Sequence, residues 1–528
     1  MSTDHFLAKV LPTLRGRAAA PFFRNYLGPG MEWGCITYES FAADVKAAIS
    51  HWKGVLSGFV QPSSVVGLWL TGVKYEDILN ILGVSASGHI PQLFSVLHAN
   101  QDVVSDLLAM SNAEGLIVDA RFAKAASSMK VPTFRALTLE EARKIEDAQS
   151  VELAMVSKAD TAVIVHSSGT TSGAPKLIPT THGLLHACLD FKYPSCLKQG
   201  SFDGPDTTNL LGSLAHVGSF QTVIRMAYHG DIIVQPSSPT FSTDELLAMV
   251  KKCGLNRIAT YAPFLVQHIR RAKQDMDVLE TLKGLRQILH TGVALNREEE
   301  KWAYEQRLPM TVMYGTTETA PLLISRLGGP PMMRLVSQCS ARFIPFAGVT
   351  DKSSESHKAL FEVVLPPDAL DSPHISLFGE DGLYHTGDLL EEPEEGFYVH
   401  RGRTGDWIRM REGFIDSKSV EDHVRKTCSD LVHDVVVIAE GRPGPALLVE
   451  SIRPNLSERE RKQVAEEIVK RSKEFNARVF KEEQINNPGR ILVLDKGQLP
   501  RTKEKGNIRR NAAQDLFAQE IDAMYTEQ

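Results

Sequence analysis

Four short stretches of the chain combine residue types that could handle a nucleotide. HSSGTTSGAPK, residues 166–176, follows the apolar run TAVIV. Hydroxyls and glycines at a strand end, then a lysine, can turn backbone N–H and side-chain O–H groups towards phosphate oxygens. It is not a Walker loop, because Pro175 precedes Lys176 and Leu177 follows it. A flexible Ser/Gly turn explains the composition equally well. In MYGTTETAP (313–321), Tyr314 offers an aromatic face to a base, Glu318 hard oxygens to a phosphate-bridging Mg2+, and Thr317 a neighbouring hydroxyl. An exposed turn before a helix would look the same. In YHTGDLL (384–390), Asp388 suits a ribose diol, although Gly-Asp is also an ordinary turn. Close to the last residue, LPRTKEKGNIRR (499–510) packs five cations into twelve residues, so Lys503 or Lys505 is either a reactive cation or part of a solvated tail.

These stretches need elements to hold them. VVGLWLTG (65–72) and TAVIVHSSG (161–169) read as buried strands, LLAMVKKCG (246–254) and residues 264–273 as helices. Such alternation predicts an α/β architecture of parallel sheets covered by helices. Residues 326–358 read as loop. Glycine and charge concentrate in HRGRTGDWIRMREGF, which places a boundary near 401–406. Beyond it, Ser457 and Glu460 predict a capping box opening a helix with Val464, Ile468 and Phe475 on its apolar side.

With 528 residues the chain exceeds a single core. A net charge of −6 without a basic stripe argues against nucleic acid as a partner. No stretch reaches the ~18 apolar residues of a membrane helix, and the first residues lack a secretory core. Six scattered cysteines without a Cys-x-x-Cys pair point to free thiols and a cytoplasmic setting.

In order and spacing the motifs resemble the adenylate-forming superfamily: acyl-CoA synthetases, adenylation domains of nonribosomal peptide synthetases and firefly-type luciferases. The family's phosphate loop is matched by Ser168 to Lys176, its Tyr-Gly-x-Thr-Glu by Tyr314 to Glu318, its Thr-Gly-Asp by Thr386 to Asp388, and its Gly-Arg-x-Asp-Asp region by Gly402 to Asp406. ITYESFAADVKAAI (36–49) and LRQILHTGVAL (285–295) are similar to further family segments. GRPGPALLVE, NPGRILVLDKGQLPRT and KGNIRR look most like fungal synthetase-like and carboxylic-acid-reductase-like adenylation domains, here freestanding.

The resemblance implies a large domain (1–401) of helix-covered, mainly parallel sheets with a small barrel-like β part. It also implies a small mobile α+β domain (402–528) that turns on a hinge near Gly405. It implies that ATP, with Mg2+, and a carboxylic acid form an acyl-adenylate and pyrophosphate. The acyl group then passes to a thiol of CoA or of a phosphopantetheinyl carrier protein; alternatives are delivery to a small amine or alcohol, and a silent nucleotide-binding scaffold. On the matching positions, Ser168, Gly169, Thr170, Thr171 and Lys176 would hold phosphates and Glu318 the Mg2+. Tyr314 would stack on adenine, Asp388 and Arg403 take the ribose, and Thr317 face the α-phosphate.

Three departures stand out. The phosphate loop carries one extra residue, Gly405 occupies the hinge position, and the closing motif inverts its Gly-Lys pair. Spacing from both flanks favours Lys505 over Lys503 as the catalytic cation. The pocket segment is matched by SLAHVGSFQT (213–222), with Val217 where α-amino-acid activators carry an Asp, preceded by His216. An unpaired buried ammonium is costly, so an aryl or alkyl acid is expected and an α-amino acid is not. Ser219, Phe220, His290, Thr291 and Met313 are the expected neighbours in that pocket.

Overall fold

The computed structural model describes residues 3–94, 100–145, 152–167, 176–197, 199–200, 202–292, 295, 297–346, 360–411, 414–476, 483–501 and 508–526. They form two compact units. The first takes in the chain up to 342 together with 365–384, and the second 343–364 together with 385 onwards.

The first unit is built on two sheets. One has six strands in the order Thr133–Arg135, Gly115–Val118, Val65–Trp69, Ile90–Phe94, Thr161–Ser167, Lys176–Thr181. Its pairs are parallel except the last, which is antiparallel. Val65–Trp69 lies between two parallel neighbours, so VVGLW has no solvent face and reads as an unbroken apolar run. In the other sheet the strands Met310–Thr316, Gln287–Thr291, Arg257–Tyr261, Thr207–Asn209, Ile232–Val234 and Pro21–Arg24 follow one another in parallel. The mainly parallel α/β reading is thus what the first unit shows.

The expected helices appear as Thr243–Cys253 and Ala262–Ala272. The former starts where Ser242 Oγ accepts the Glu245 N–H at 3.1 Å and stops at Gly254, whose φ is +69°. Residues 326–358 are not wholly loop, because Met333–Leu335 and Arg342–Pro345 are strands; each is three or four residues, too short for its alternation to register in the sequence. MYGTTETAP leads into the strand Ala320–Ser325, not a helix: its APLLI is apolar without interruption, and the strand pairs antiparallel with Met310–Thr316.

In the second unit the strands Arg342–Pro345, Leu360–Leu365, Tyr384–Glu394 and Phe397–Arg403 lie in that order. A three-stranded sheet of Val432–Ile438, Ala446–Ser451 and Ile491–Leu494 packs with the helices Ser417–Thr427 and Glu458–Arg471 around Val424, Val435, Val449 and Ile468. The capping box forms as expected, Ser457 Oγ reaching the Glu460 N–H at 3.4 Å and Glu460 Oε2 the Ser457 N–H at 2.9 Å. Val464 and Ile468 are buried on that helix, whereas Phe475 lies past its end and stacks on His423. All six cysteines are free thiols. Among the described residues no helix is long and apolar enough to cross a membrane.

Candidate active site

The parallel strands and the helix that faces them open a cavity of about 240 Å3 in the first unit. Neighbouring strands supply much of its wall, the strand Arg257–Tyr261 along its whole length. Arg257, Ala259 and Tyr261 from one strand pair in register with Gln287, Leu289 and Thr291 from the next, and all six line the cavity. Helix Val217–His229 supplies the facing wall through Val217, Gln221 and Arg225, spaced i, i+4, i+8 along one face. The hairpin after Met310–Thr316 contributes Met313, Gly315, Thr316 and Thr317. A side chain at Gly315 would collide with the carbonyl oxygen of Ala320, so the tight return to Ala320 requires a glycine there.

Of the residues expected in the pocket, His216, Val217, Thr291 and Met313 line it, as does Thr317. Ser219, Phe220 and His290 are not among the lining residues; His290 is an even-numbered neighbour of Leu289 and Thr291 and is carried to the other face of the sheet. His290 is buried, both ring nitrogens lack a partner, and burial lowers its pKa to about 4. Ser219 and Phe220 lie on the packed side of their helix, Phe220 against Phe6. His216 stands solvent-exposed at the helix start, ring centroid 6.4 Å from Tyr261, and desolvation by the surrounding protein lowers its pKa.

The sequence reading missed the deeper lining. Gln221 is fully buried; its Oε1 accepts the Tyr193 hydroxyl at 2.9 Å, while its Nε2 has no partner. Arg225 and Arg257 are buried too. Their signal was present, since Gln221 and Arg225 continue the helical spacing of Val217. Among the described residues no aspartate or glutamate lines the cavity.

Tyr314 and Glu318 flank this lining without joining it: alternation turns Tyr314 away from Met313 and Gly315, and Glu318 sits partly exposed in the turn beyond Thr317. Lys176 is exposed at the start of its strand, paired in register with Ser167. Ser168, Gly169, Thr170 and Thr171 lie outside the described residues, as do Lys503 and Lys505.

In the second unit Asp388 and Arg403 are ladder partners on adjacent strands. Arg403 Nε donates to Asp388 Oδ1 at 3.1 Å, and His400, which the sequence reading did not single out, lies 3.3 Å from the same oxygen. The two ends of the closing segment are held together: Arg501 bridges to Ile508, and the Arg509 N–H donates to the Pro500 carbonyl. Arg501 is fixed by Asp434 at 2.9 Å and Glu450 at 2.6 Å. Arg510 reaches Glu421 at 2.8 Å and the Gly405 carbonyl at 3.2 Å, which ties the closing segment to the expected hinge. A side chain at Gly405 would meet nothing within 4 Å.

Among the described residues no three His, Cys, Asp or Glu side chains converge as a metal cage. A lone partly exposed carboxylate such as Glu318 fits the way Mg2+ binds, through one or two carboxylates plus phosphate and water oxygens.

Residues 21–347 match the family described as AMP-binding enzyme, and residues 414–528 match its C-terminal domain. The AMP-binding domain-containing enzyme iboA of Amanita muscaria is 31% identical over 502 residues, covering 93% of this chain and 95% of its own. The 2,3-dihydroxybenzoate-AMP ligase of Bacillus subtilis is 24% identical over 338 residues, 59% of each chain. Among solved structures, ATP-bound MatB from Rhodopseudomonas palustris superposes with a TM-score of 0.69 at 16% identity, covering 98% of this chain and all of that one. The complex of O-succinylbenzoate coenzyme A synthetase from Bacillus subtilis with ATP and magnesium gives 0.67 at 18%, covering 97% and 100%. The chain belongs to the AMP-binding, adenylate-forming enzyme family and is an ATP-dependent ligase of that family.

Proposed function

We propose that the enzyme activates a small aryl or alkyl carboxylic acid, not an α-amino acid, and passes the acyl group to a thiol of CoA or of a carrier protein. The observation that carries this reading is the cavity that ends at His216 and Thr317 and has no acidic side chain among its described lining residues. A substrate ammonium there would be desolvated without a counter-charge, a cost of several kcal/mol. A cavity of about 240 Å3 lies at the small end for ligand pockets and suits a short acid.

In the first step an oxygen of the carboxylate attacks the α-phosphorus of ATP, the bond to the bridging oxygen breaks, and pyrophosphate leaves. The protein's part is to position the reactants and to neutralise charge. His216 and the N-terminal end of its helix receive the carboxylate, where the helix dipole favours a negative group. Thr317 faces the α-phosphate, Ser168, Gly169, Thr170, Thr171 and Lys176 hold the phosphates, and Tyr314 stacks on adenine. Asp388 and Arg403, pre-aligned by their mutual hydrogen bond, take the ribose. Lys505 bridges the carboxylate and α-phosphate oxygens. Mg2+, held by Glu318, supplies charge neutralisation on the phosphates. In the second step the thiolate attacks the acyl carbon and AMP leaves, after the domain beyond 401 turns about Gly405. A cytoplasmic setting fits these soluble reactants.

Acid-dependent ATP–pyrophosphate exchange across aryl, alkyl, keto and α-amino acids tests the reading. Exchange is expected with acids that lack an α-ammonium group. Exchange confined to α-amino acids would overturn the substrate assignment. No exchange from folded, ATP-binding protein would point to a silent scaffold. Product mass with CoA, holo-carrier protein or an amine then identifies the acceptor.

A further inference from the structure

At the deep end of the cavity two arginines are incompletely paired. Arg225 and Arg257 both line it with side chains 6% exposed. Asp231 lies 3.6 Å from Arg225, too long for a direct hydrogen bond. Asp206 is shared, 2.8 Å from Arg257 and 2.9 Å from Arg286. Arg286 lies outside the lining and competes for Asp206, so neither arginine of the lining has an unshared carboxylate at hydrogen-bond distance. Burial lowers the Arg225 pKa, against the pull of Asp231, Tyr193 and Asp206, so its counter-charges do not make up for the water it has lost. A guanidinium stays charged at neutral pH, so a site of this kind gains from an anion placed against it.

A second, independent feature points the same way. Gln221 is fully buried, lines the cavity one helical turn above Arg225, and its Nε2 donor has no partner among the described residues. An unmatched buried donor costs about as much as a lost hydrogen bond, and an acceptor on a bound molecule would remove that cost.

Building on the adenylation reading, we propose that the acid carries a second anionic group at its far end, which Arg225 and Arg257 bind, with Gln221 Nε2 donating to an oxygen of that same group. The spacing suits a diacid. From Thr291 to Gln287 the strand covers about 13 Å, and from Val217 to Arg225 the helix covers about 12 Å. Both run from the level of His216 and Thr317 to the level of the arginines, and the reach of the arginine side chains shortens the gap to that of a compact diacid.

The test is exchange with succinate, glutarate, adipate, pimelate and terephthalate, each against the monoacid of the same skeleton. A charge-assisted hydrogen bond corresponds to about ten- to a hundredfold in kcat/KM. At least one diacid should exceed its monoacid by that factor in the native enzyme. The ratio should collapse in Arg225→Met and recover in part in Arg225→Lys, which restores the charge without the fork. Should Arg225→Met not fold, Gln221→Leu, which removes the donor while keeping the volume, should lower the ratio for the preferred diacid several-fold. Monoacids equal to or better than every diacid, or a diacid preference unchanged in the variants, would overturn the inference while leaving adenylation intact. Loss of exchange with every acid, including the broad panel above, would remove the adenylation reading itself.

Discussion

Asp371→Asn should destabilise the first unit by about 3–5 kcal/mol, the cost of breaking a buried pair by removing one partner. Lys192 is wholly inside the protein, and Asp371 is 1% exposed at 2.9 Å. The ammonium also donates to the Pro321 carbonyl at 3.0 Å and approaches the Cys339 sulfur at 3.7 Å, so its three protons are all directed at partners. Asparagine preserves the shape and the contact with the Ser340 N–H but leaves the ammonium without a counter-charge. The penalty has a ceiling, because the lysine can shed its proton instead. From an ordinary lysine pKa of ~10.4, that costs about 4.6 kcal/mol at pH 7 and about 1.9 kcal/mol at pH 9. The measured loss should therefore fall to no more than about 1.9 kcal/mol at pH 9. Guanidinium unfolding of native enzyme and variant at both pH values, followed by near-UV circular dichroism, provides the assay. A loss under ~1 kcal/mol, or one that does not change with pH, would refute the argument. Burial pushes the Asp371 carboxyl up, but the Lys192 charge and the hydrogen bonds from Lys192, Cys339 and Ser340 outweigh it and leave the pKa lowered. Its contribution is accordingly present above the ordinary carboxylate range and lost as pH falls below it.

Lys505→Ala should abolish most ATP–pyrophosphate exchange and Lys503→Ala should not; the opposite pattern in the exchange rates would show that Lys503 is the cation. Acid should destabilise the protein well before carboxylates titrate. Burial lowers the His268 pKa to about 4, so this ring is neutral in the native state, and its contribution is complete above the ordinary histidine value and lost as pH falls from there towards 4. Each such histidine adds up to ~1.4 kcal/mol per pH unit in that window, and urea midpoints of His268→Gln should show a correspondingly shallower pH dependence than the native enzyme.

The parts of the fold that were legible in the sequence are those where one physical requirement dominates. VVGLW and TAVIV are buried between neighbours on both faces and must be apolar throughout, and Ser457 with Glu460 states its own helix start. Met333–Leu335 left no pattern to read, being shorter than one alternation cycle can establish. The site divides the same way. Tyr314, Thr317 and Glu318 cluster within five residues and declare themselves through composition, whereas Arg257 and Gln287, thirty residues apart, meet only because their strands pair in register. His290 was expected in the pocket together with its neighbour Thr291, and one step of strand alternation carries it to the opposite face.

This division bears on where specificity can reside. The residues proposed for nucleotide chemistry lie in turns and at strand ends, where a few neighbours in sequence suffice to place a hydroxyl or a carboxylate. The residues that define the depth and charge of the acid cavity lie on one helical stripe and two strand faces, so each is fixed by register with a distant segment. A substitution at Gln221 or Arg225 alters the far end of the cavity without touching the hairpin that carries Thr317. Lys192 links the two: its helix continues into Tyr193, which binds Gln221, while its ammonium holds the carbonyl of Pro321 just beyond the hairpin turn. The buried ion pair thus sets the distance between the reacting end of the cavity and its charged floor. Asp371→Asn should therefore narrow the preference between a diacid and its monoacid even under conditions where the variant remains folded, and an unchanged preference would confine Lys192 to stability alone.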